Sequence, residues 1–215
     1  MRYKWLNKQE NNKIILFFNG WGMDENVVKH LDTEDFDVLM FYDYNTLDTD
    51  FIFESLNTYP EKVLIAWSMG VMIGSCLAPS LALILGEGTK IAINGTLKPI
   101  DVKFGIHPKI YDLTIKGFND KGRERFIKSM FDTKNELTLD HNPLPKERQI
   151  KEQLTELISL KNYKSDYSFK YNKILISDND KIIPTKSQVA YWRIEPNFKG
   201  GHCPFFQIKK WSDLL

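Results

Sequence analysis

Five short segments of the chain are apolar on both faces of an extended strand, instead of alternating between apolar and polar positions. Such two-sided runs are typical of strands buried inside a parallel sheet. The predicted strands lie at residues 13–19, 37–41, 63–66, 90–94 and 173–177. Helices are predicted at residues 24–31, 49–57 and 71–85, the last kinked or split by Pro79. The alternation of strands and helices predicts an α/β fold, with a mostly parallel central sheet and helices on both faces.

The strand pattern stops after residue 94 and resumes only near residue 173. Between these points, apolar residues recur at helical spacing in three segments, at residues 108–118, 120–131 and 145–160. We predict an inserted helical cap at about residues 96–171, within a single domain that spans residues 1–215. Helices that only cover the sheet are the alternative. Beyond residue 177 the pattern predicts a helix at 185–190, a strand at 191–195 and a terminal helix at about 206–215.

Composition limits the classes of function. The 215 residues carry 29 Lys and Arg against 28 Asp and Glu, so the overall charge gives no case for nucleic acid or an anionic membrane as partner. No apolar run approaches the roughly 20 residues of a membrane-spanning helix, and the first residues lack the apolar core of a secretory leader. Two cysteines without metal-ligand spacing favour a reducing compartment. We therefore predict a cytoplasmic protein without a metal or cofactor.

One serine lies where a buried strand runs into a helix. Residues 66–70 read A-W-S-M-G, which is the nucleophile-elbow pattern G-x-S-x-G with Ala66 in the first glycine position. Small residues on both sides of Ser68 allow the sharp turn that presents a serine hydroxyl above a sheet. An ordinary serine at a helix N-terminus is the alternative, because a five-residue pattern with one departure has low specificity.

Two late loops carry candidate partners for Ser68. Asp178 and Asp180 follow an apolar strand, and His202 lies on a Gly-Gly turn near the C-terminus. The order Ser, Asp, His is the one that α/β hydrolases use. A serine hydroxyl needs a base to take its proton, and His202 would be that base while Asp180 fixes the imidazole tautomer. Asp178 remains the alternative acid, although the spacing between Asp180 and Pro184 favours Asp180.

A second strand end is rich in glycine. The strand at residues 13–19 runs into Asn19-Gly20-Trp21-Gly22, a turn that leaves backbone N–H groups accessible. The N–H groups of Trp21 and Met69 are therefore candidates to bind the oxyanion of a tetrahedral intermediate. A simple strand-to-helix loop is the alternative interpretation of this turn.

With these residues the sequence resembles the α/β-hydrolase superfamily and, within it, the pimeloyl-acyl carrier protein (ACP) methyl ester esterases of the BioG type. The resemblance covers most of the chain and depends on five motifs. They are F-F-N-G-W-G-M at 17–23, A-W-S-M-G at 66–70, A-I-N-G-T-L-x-P-I-D at 92–101, G-I-H-P-x-I-Y-D-L-T at 105–114 and G-G-H-C-P-F at 200–205. Ala66 in the elbow and Asn19 before Gly20 depart from the common superfamily pattern.

The resemblance implies an α/β-hydrolase fold and a serine carboxylesterase that hydrolyses the methyl ester of pimeloyl-ACP in biotin synthesis. It implies Ser68 as nucleophile, His202 as base and Asp180 as acid. Trp21 and Met69 are implied as oxyanion donors. Two other functions stay open: a general short-acyl esterase or thioesterase that uses the same residues, and a non-catalytic binding protein with this fold.

Two further sets of residues are predicted to contact the substrate. An acyl chain needs an apolar groove, for which the candidates are Trp21, Met23, Phe104, Ile110 and Phe118. Acyl carrier proteins are acidic, so a basic face of the cap is a candidate docking surface. Its candidate residues are Lys121, Arg123, Arg125 and Lys128. A solvated helix face is the alternative explanation for these basic residues.

Overall fold

The structure is a computed structural model of the chain, and it describes residues 1–48, 54–131 and 144–215. The strands in these ranges are β1 (Arg2–Asn7), β2 (Lys13–Phe18), β3 (Phe36–Tyr42), β4 (Glu61–Trp67), β5 (Thr89–Ile93) and β6 (Lys173–Leu175). They form one sheet in the order β1-β3-β2-β4-β5-β6. β1 pairs with β3 in the antiparallel direction, and the other neighbours pair in parallel. The carboxyl ends of β2 to β6 therefore meet at one edge of the sheet.

Helices connect the parallel strands and also fill the long insertion between β5 and β6. The α-helices of the described ranges are α1 (Met69–Cys76), α2 (Ala78–Leu85), α3 (Pro108–Gly117), α4 (Asp120–Ser129), α5 (Ile150–Leu160) and α6 (Thr185–Trp192). Short 3-10 helices lie at Glu25–Val27, Glu54–Thr58, Phe205–Gln207 and Trp211–Leu214. In the insertion, the Tyr111 hydroxyl of α3 donates to the Leu157 carbonyl of α5 at 2.7 Å. This buried bond ties the two inserted helices together.

The two-sided apolar strands are explained by a hydrophobic layer on each face of the sheet. Along β2, Ile14, Leu16 and Phe18 belong to one layer, which also contains the apolar residues of α1 and α2. Ile15 and Phe17 belong to the other layer, which includes the C-terminal segment. Because side chains of a strand alternate between faces, both sets must be apolar for the strand to be covered on both sides. The predicted α/β architecture is thus confirmed.

Several predicted elements differ from the observed ones. The prediction of a strand at residues 191–195 is wrong, because α6 continues to Trp192 and ends at Arg193, which has a left-handed backbone conformation. β1 is missing from the prediction, because it is a partly exposed edge strand without a continuous apolar run. The helices predicted at 24–31 and 206–215 are only short 3-10 turns. Residues 49–53 of the helix predicted at 49–57 lie outside the described ranges.

Other predicted boundaries agree with the structure. The helix predicted at 71–85 is split into α1 and α2 at Leu77, two residues before Pro79. The three inserted helices occur in the predicted order, although α5 begins at Ile150 rather than at residue 145. The insertion leaves the sheet after β5 and returns to it at β6. The insertion therefore begins at the carboxyl end of β5, which is the edge of the sheet that carries the candidate site residues.

Candidate active site

Ser68 occupies the sharp turn between β4 and α1. Its backbone has φ +59° and ψ −124°, a conformation that non-glycine residues rarely adopt. The turn brings α1 so close to β2 that a Cβ atom at Gly70 would lie 2.3 Å from the Phe18 carbonyl oxygen. Only glycine fits at this position, which explains the second glycine of the elbow pattern. The first position holds Ala66 without difficulty, inside a fully buried strand.

The structure brings Ser68, His202 and Asp180 together in one hydrogen-bonded chain. His202 Nε2 lies 2.8 Å from Ser68 Oγ, and His202 Nδ1 lies 2.7 Å from Asp180 Oδ2. The three residues are 5%, 1% and 5% exposed, respectively. An Nδ1–H that donates to the carboxylate leaves Nε2 free to accept the serine proton. The arrangement has the geometry that a serine nucleophile with a histidine base requires.

The two candidate acids have different surroundings. Asp180 Oδ1 accepts from the backbone N–H groups of Ile182 and Ile183 at 2.8 and 3.1 Å, and Gln188 donates to its Oδ2 at 2.8 Å. Asp178 is turned to the surface, where a hydrogen bond from Lys199 lowers the pKa of its carboxyl group. Asp180, and not Asp178, therefore contacts the imidazole.

His202 is also held through its backbone. Asn94 Nδ2 and Trp67 Nε1 each donate to the His202 carbonyl at 2.9 Å. Asn94 additionally exchanges two hydrogen bonds with Ser177, at the end of β6. Neither Asn94 nor Trp67 is among the predicted site residues. The signal that points to Asn94 is a polar residue directly after a buried strand, at the same edge of the sheet as Ser68.

The glycine turn after β2 lies beside Ser68. Asn19 shapes it, because its side chain accepts from Gly20 N–H at 2.8 Å and donates to the Asp24 carbonyl at 3.0 Å. The backbone N–H groups of Trp21 and Met69 have no hydrogen-bond acceptor among the described residues. Both residues line the small cavity at Ser68. Two N–H donors beside a serine hydroxyl are the groups that an oxyanion hole needs.

Two neighbouring cavities lie near Ser68. The inner cavity, of about 30 Å³, is lined by Ser68, Trp21 and Met69 together with Trp67. The outer cavity, of about 450 Å³, opens between α3, α4 and the loop after β6. The two share four lining residues, namely Ile106, Thr114, Phe126 and Ile182. The two cavities are therefore adjacent, and these four side chains lie between them.

The predicted groove residues are only partly brought together. Trp21 lines the inner cavity, and Ile110 and Phe118 line the outer one. Met23 packs on the opposite face of the sheet, and the Phe104 ring packs against Tyr191, so neither of these described residues lines the two cavities. The four shared lining residues are missing from the prediction, because sequence spacing alone does not show which face of the inserted helices turns toward the site.

The four predicted docking residues also differ in their exposure to solvent. Arg125 lines the outer cavity, and Lys121 and Lys128 are exposed on the same helix. Arg123 is half-buried, donates to the Arg148 carbonyl at 3.2 Å and lies 3.6 Å from the Asp120 carboxylate. Arg123 therefore contributes to the packing of the insertion, whereas the other three present their charges to solvent.

No group of three or more His, Cys, Asp or Glu residues in residues 1–48, 54–131 and 144–215 is arranged to hold a metal ion. Within the described helices, none has the length and apolar content needed to cross a membrane.

Comparison with known proteins gives the family. The family model described as pimeloyl-ACP methyl esterase BioG matches residues 1–214. The chain belongs to the BioG family. The crystal structure of BioG from Haemophilus influenzae is similar with a TM-score of 0.82 and 28% identity, covering 100% of this chain and 99% of that one.

One curated relative is longer than the chain. A malonyl-ACP O-methyltransferase from Bacteroides fragilis is 35% identical over 182 residues, which are 83% of this chain and 36% of the relative. The chain thus spans about a third of that protein. The similarity of an esterase from Thermogutta terrifontis, with a TM-score of 0.68 at 13% identity over 95% of this chain and 87% of that one, concerns the fold alone.

Membership of the BioG family makes the chain a carboxylic ester hydrolase. The α/β-hydrolase fold is shared with the esterases of similar structure. The resemblance on which the predicted function depends is confirmed, and hydrolysis of the methyl ester of pimeloyl-ACP is the activity for which the family is named.

Proposed function

We propose that this chain hydrolyses the methyl ester of pimeloyl-ACP to pimeloyl-ACP and methanol in biotin synthesis, with Ser68 as nucleophile, His202 as general base and Asp180 as acid. The observation that carries the proposal is the buried hydrogen-bonded chain from Ser68 Oγ through His202 to Asp180. The protein partner is the ACP that bears the ester. A cytoplasmic location is part of the proposal, since two cysteines in 215 residues are too few for a disulfide framework.

In the first half of the reaction, Ser68 Oγ attacks the ester carbonyl while His202 Nε2 takes the hydroxyl proton. The imidazolium that forms is stabilised by the Asp180 carboxylate, which the N–H groups of Ile182 and Ile183 hold in place. The N–H groups of Trp21 and Met69 bind the oxyanion of the tetrahedral intermediate. His202 then returns the proton to the methoxy oxygen, so that methanol leaves and an acyl-enzyme remains.

In the second half, His202 takes a proton from water as the water attacks the acyl-enzyme. The same two N–H groups bind the second oxyanion. When this intermediate collapses, the Ser68 oxygen leaves and recovers its proton from His202. The products are the free carboxylate at the end of the pimeloyl chain and the regenerated serine.

The direct test of this function measures the products that the purified chain forms from pimeloyl-ACP methyl ester. We expect one methanol for each carboxylate formed, with the thioester to ACP left intact. Cleavage of the thioester instead would favour the thioesterase alternative. A chain that releases neither methanol nor a thiol would contradict any hydrolase function.

The shape of the two cavities supports an orientation for the substrate. The ester lies at the far end of a chain whose other end is tethered to a protein outside, so the chain must leave through the open outer cavity. The methyl group then occupies the enclosed space at Ser68. That space of about 30 Å³ has room for only one or two water-sized groups.

This orientation predicts selectivity for small alcohols. From the methyl to the butyl ester of one acid, we expect kcat/KM to fall by about 10- to 100-fold, since overpacking an enclosed site costs about 1 to 3 kcal/mol. Met130→Ala, which enlarges the inner cavity, should reduce the ratio of kcat/KM for the methyl ester to kcat/KM for the butyl ester. Leu113→Ala, in the outer cavity, is the matched control and should leave it unchanged. Equal rates for methyl and butyl esters in the unaltered chain would contradict the orientation.

We further propose that the insertion at about residues 96–171 acts as a cap within a single domain, and that its basic face docks ACP. Support comes from the position of Arg125 at the outer cavity, with Lys121 and Lys128 exposed on the same helix. Lys181, next to Asp180, lines the other side of that cavity. Positive charge at the entrance favours the approach of an acidic carrier.

Charge reversal tests the docking surface. In Arg125→Glu/Lys128→Glu we expect kcat/KM for the ACP-bound ester to fall about 10-fold at low salt, through slower association. The rate on a small free methyl ester should change less than twofold. Lys170→Glu, at an exposed residue before β6 begins, is the control. Equal losses on both substrates would show that the substitutions disturb the site and not the docking.

A further inference from the structure

Two buried polar residues of α5 contact the glycine turn after β2. They take no part in the hydrogen bonds that join Ser68, His202 and Asp180. Gln153 and Glu156 are both 0% exposed. Glu156 Oε2 accepts from the Gly22 N–H at 3.2 Å, and Gln153 Nε2 donates to the Gly22 carbonyl at 2.7 Å. Both polar backbone groups of Gly22 are therefore bound by side chains of one helix.

Additional bonds hold the same turn on both sides of Gly22. The Trp21 indole N–H donates to the Gln153 carbonyl at 2.7 Å. Arg148, which is bound to Glu156 at 2.7 Å, also donates to the Met23 carbonyl at 3.3 Å. The contacts thus cover three consecutive residues, 21–23, all from residues 148–156 of the insertion.

Glycine is needed where the helix meets the turn. Gly22 has φ +71°, and a Cβ atom there would lie 3.3 Å from Gln153 Nε2. A side chain at position 22 would strain the backbone and would also press on the amide that binds it. The close approach of α5 therefore requires glycine at position 22 of the turn.

General stability is a weak explanation for this arrangement. A buried ion pair such as Arg148 with Glu156 often stabilises a fold no more than apolar residues of the same volume would. Burial raises the pKa of Glu156, although Arg148 opposes the shift. What these polar groups provide, and apolar ones would not, is a defined position for the peptide groups of the turn.

We infer that Gln153 and Glu156 are positioning residues, which fix the peptide groups of Gly22 and thereby aim the Trp21 backbone N–H at the oxyanion. The inference rests on the proposed function, because that function assigns the Trp21 N–H to the oxyanion hole. Loss of one oxyanion donor lowers kcat about 10²- to 10³-fold, so misalignment of the donor should cost about 10- to 100-fold.

The test compares two substitutions of similar size, Gln153→Met and Glu156→Gln, on a small methyl ester. For both variants we expect kcat to fall about 10- to 100-fold, with KM within twofold of the unaltered chain. The pH dependence of kcat/KM should keep its midpoint, since the surroundings of His202 are unchanged. Thr155→Val, at an exposed residue of the same helix whose hydroxyl donates to the Lys151 carbonyl, should behave as the unaltered chain.

Several outcomes would overturn the inference. Normal kcat in both folded variants would show that the turn does not need these contacts. A raised KM with a shifted pH midpoint, or failure of both variants to fold, would assign Gln153 and Glu156 a structural role only. Gln153→Met leaves the ion pair between Arg148 and Glu156 intact. Its kcat therefore tests the inference even if Glu156→Gln fails to fold. Ser68→Ala separates the two proposals: activity within tenfold of the unaltered chain there contradicts the proposed function, whereas normal kcat in Gln153→Met together with the expected loss in Ser68→Ala contradicts this inference alone.

Discussion

Ser68→Ala is expected to lower kcat on pimeloyl-ACP methyl ester by about 10⁶-fold, because nucleophile loss leaves only binding and the oxyanion donors. Among the described residues that line the inner cavity, Tyr111 and Thr114 carry the other hydroxyl groups, and these donate to the backbone carbonyls of Leu157 and Ile110 instead of to His202. The covalent route through an acyl-enzyme is therefore closed in this variant.

The fold should survive this substitution. Removing the hydroxyl deletes one hydrogen bond, to His202, which contributes about 1 kcal/mol in a typical case. Methanol release gives the activity, and thermal unfolding gives the stability. Ser75→Ala is the matched control, since Ser75 is a buried serine of α1 whose hydroxyl donates to the Met72 carbonyl and does not contact His202. Activity within tenfold of the unaltered chain in Ser68→Ala would remove Ser68 from the mechanism.

The sheet was accessible from sequence because its central strands are covered on both faces. Burial of both faces requires apolar residues at every position, and this produces a signal that needs no knowledge of tertiary contacts. β1 lacks this signal, since it lies at an edge where Arg2 and Tyr3 remain exposed. The wrong strand at residues 191–195 has the opposite cause. There the sequence is aromatic and β-branched, but Tyr191 and Trp192 pack against each other on a helix.

The sequence was sufficient to predict which residues form the candidate site, but not the distances between them. Strand ends at one edge of a parallel sheet must lie near one another, so Ser68 and His202 could be paired although 134 positions separate them. The spacing between Asp180 and Pro184 favoured Asp180 over Asp178, and the structure adds the side-chain directions that distinguish the two carboxylates. The roles proposed for Gln153 and Glu156 depend on the rotation of α5 about its axis, which the polar character of these residues does not reveal.

The insertion contributes to the site from two directions. α3 and α4 form the walls of the outer cavity, whereas α5 binds the turn that carries the Trp21 N–H. A change in the position of the insertion would therefore alter substrate entry and oxyanion alignment together.

Asp180→Asn is expected to lower kcat by about 10⁴-fold with little change in KM. The amide that replaces the carboxylate offers an N–H to His202 Nδ1, so the imidazole proton moves to Nε2 and faces Ser68. A protonated Nε2 cannot accept the serine proton, and the positive charge that develops on the ring loses its partner.

Asp178→Asn is the matched control for this prediction. Its carboxylate contacts Lys199 and the Gly200 N–H at the surface, two residues from Asp180 along the chain. Its loss should change kcat less than threefold, because an exposed ion pair contributes at most about 1 kcal/mol. Steady-state rates of both variants on the same small methyl ester make the comparison. If Asp178→Asn caused the larger loss, the loop would have to rearrange in solution so that the other carboxylate reaches His202, and the assignment of Asp180 would be wrong.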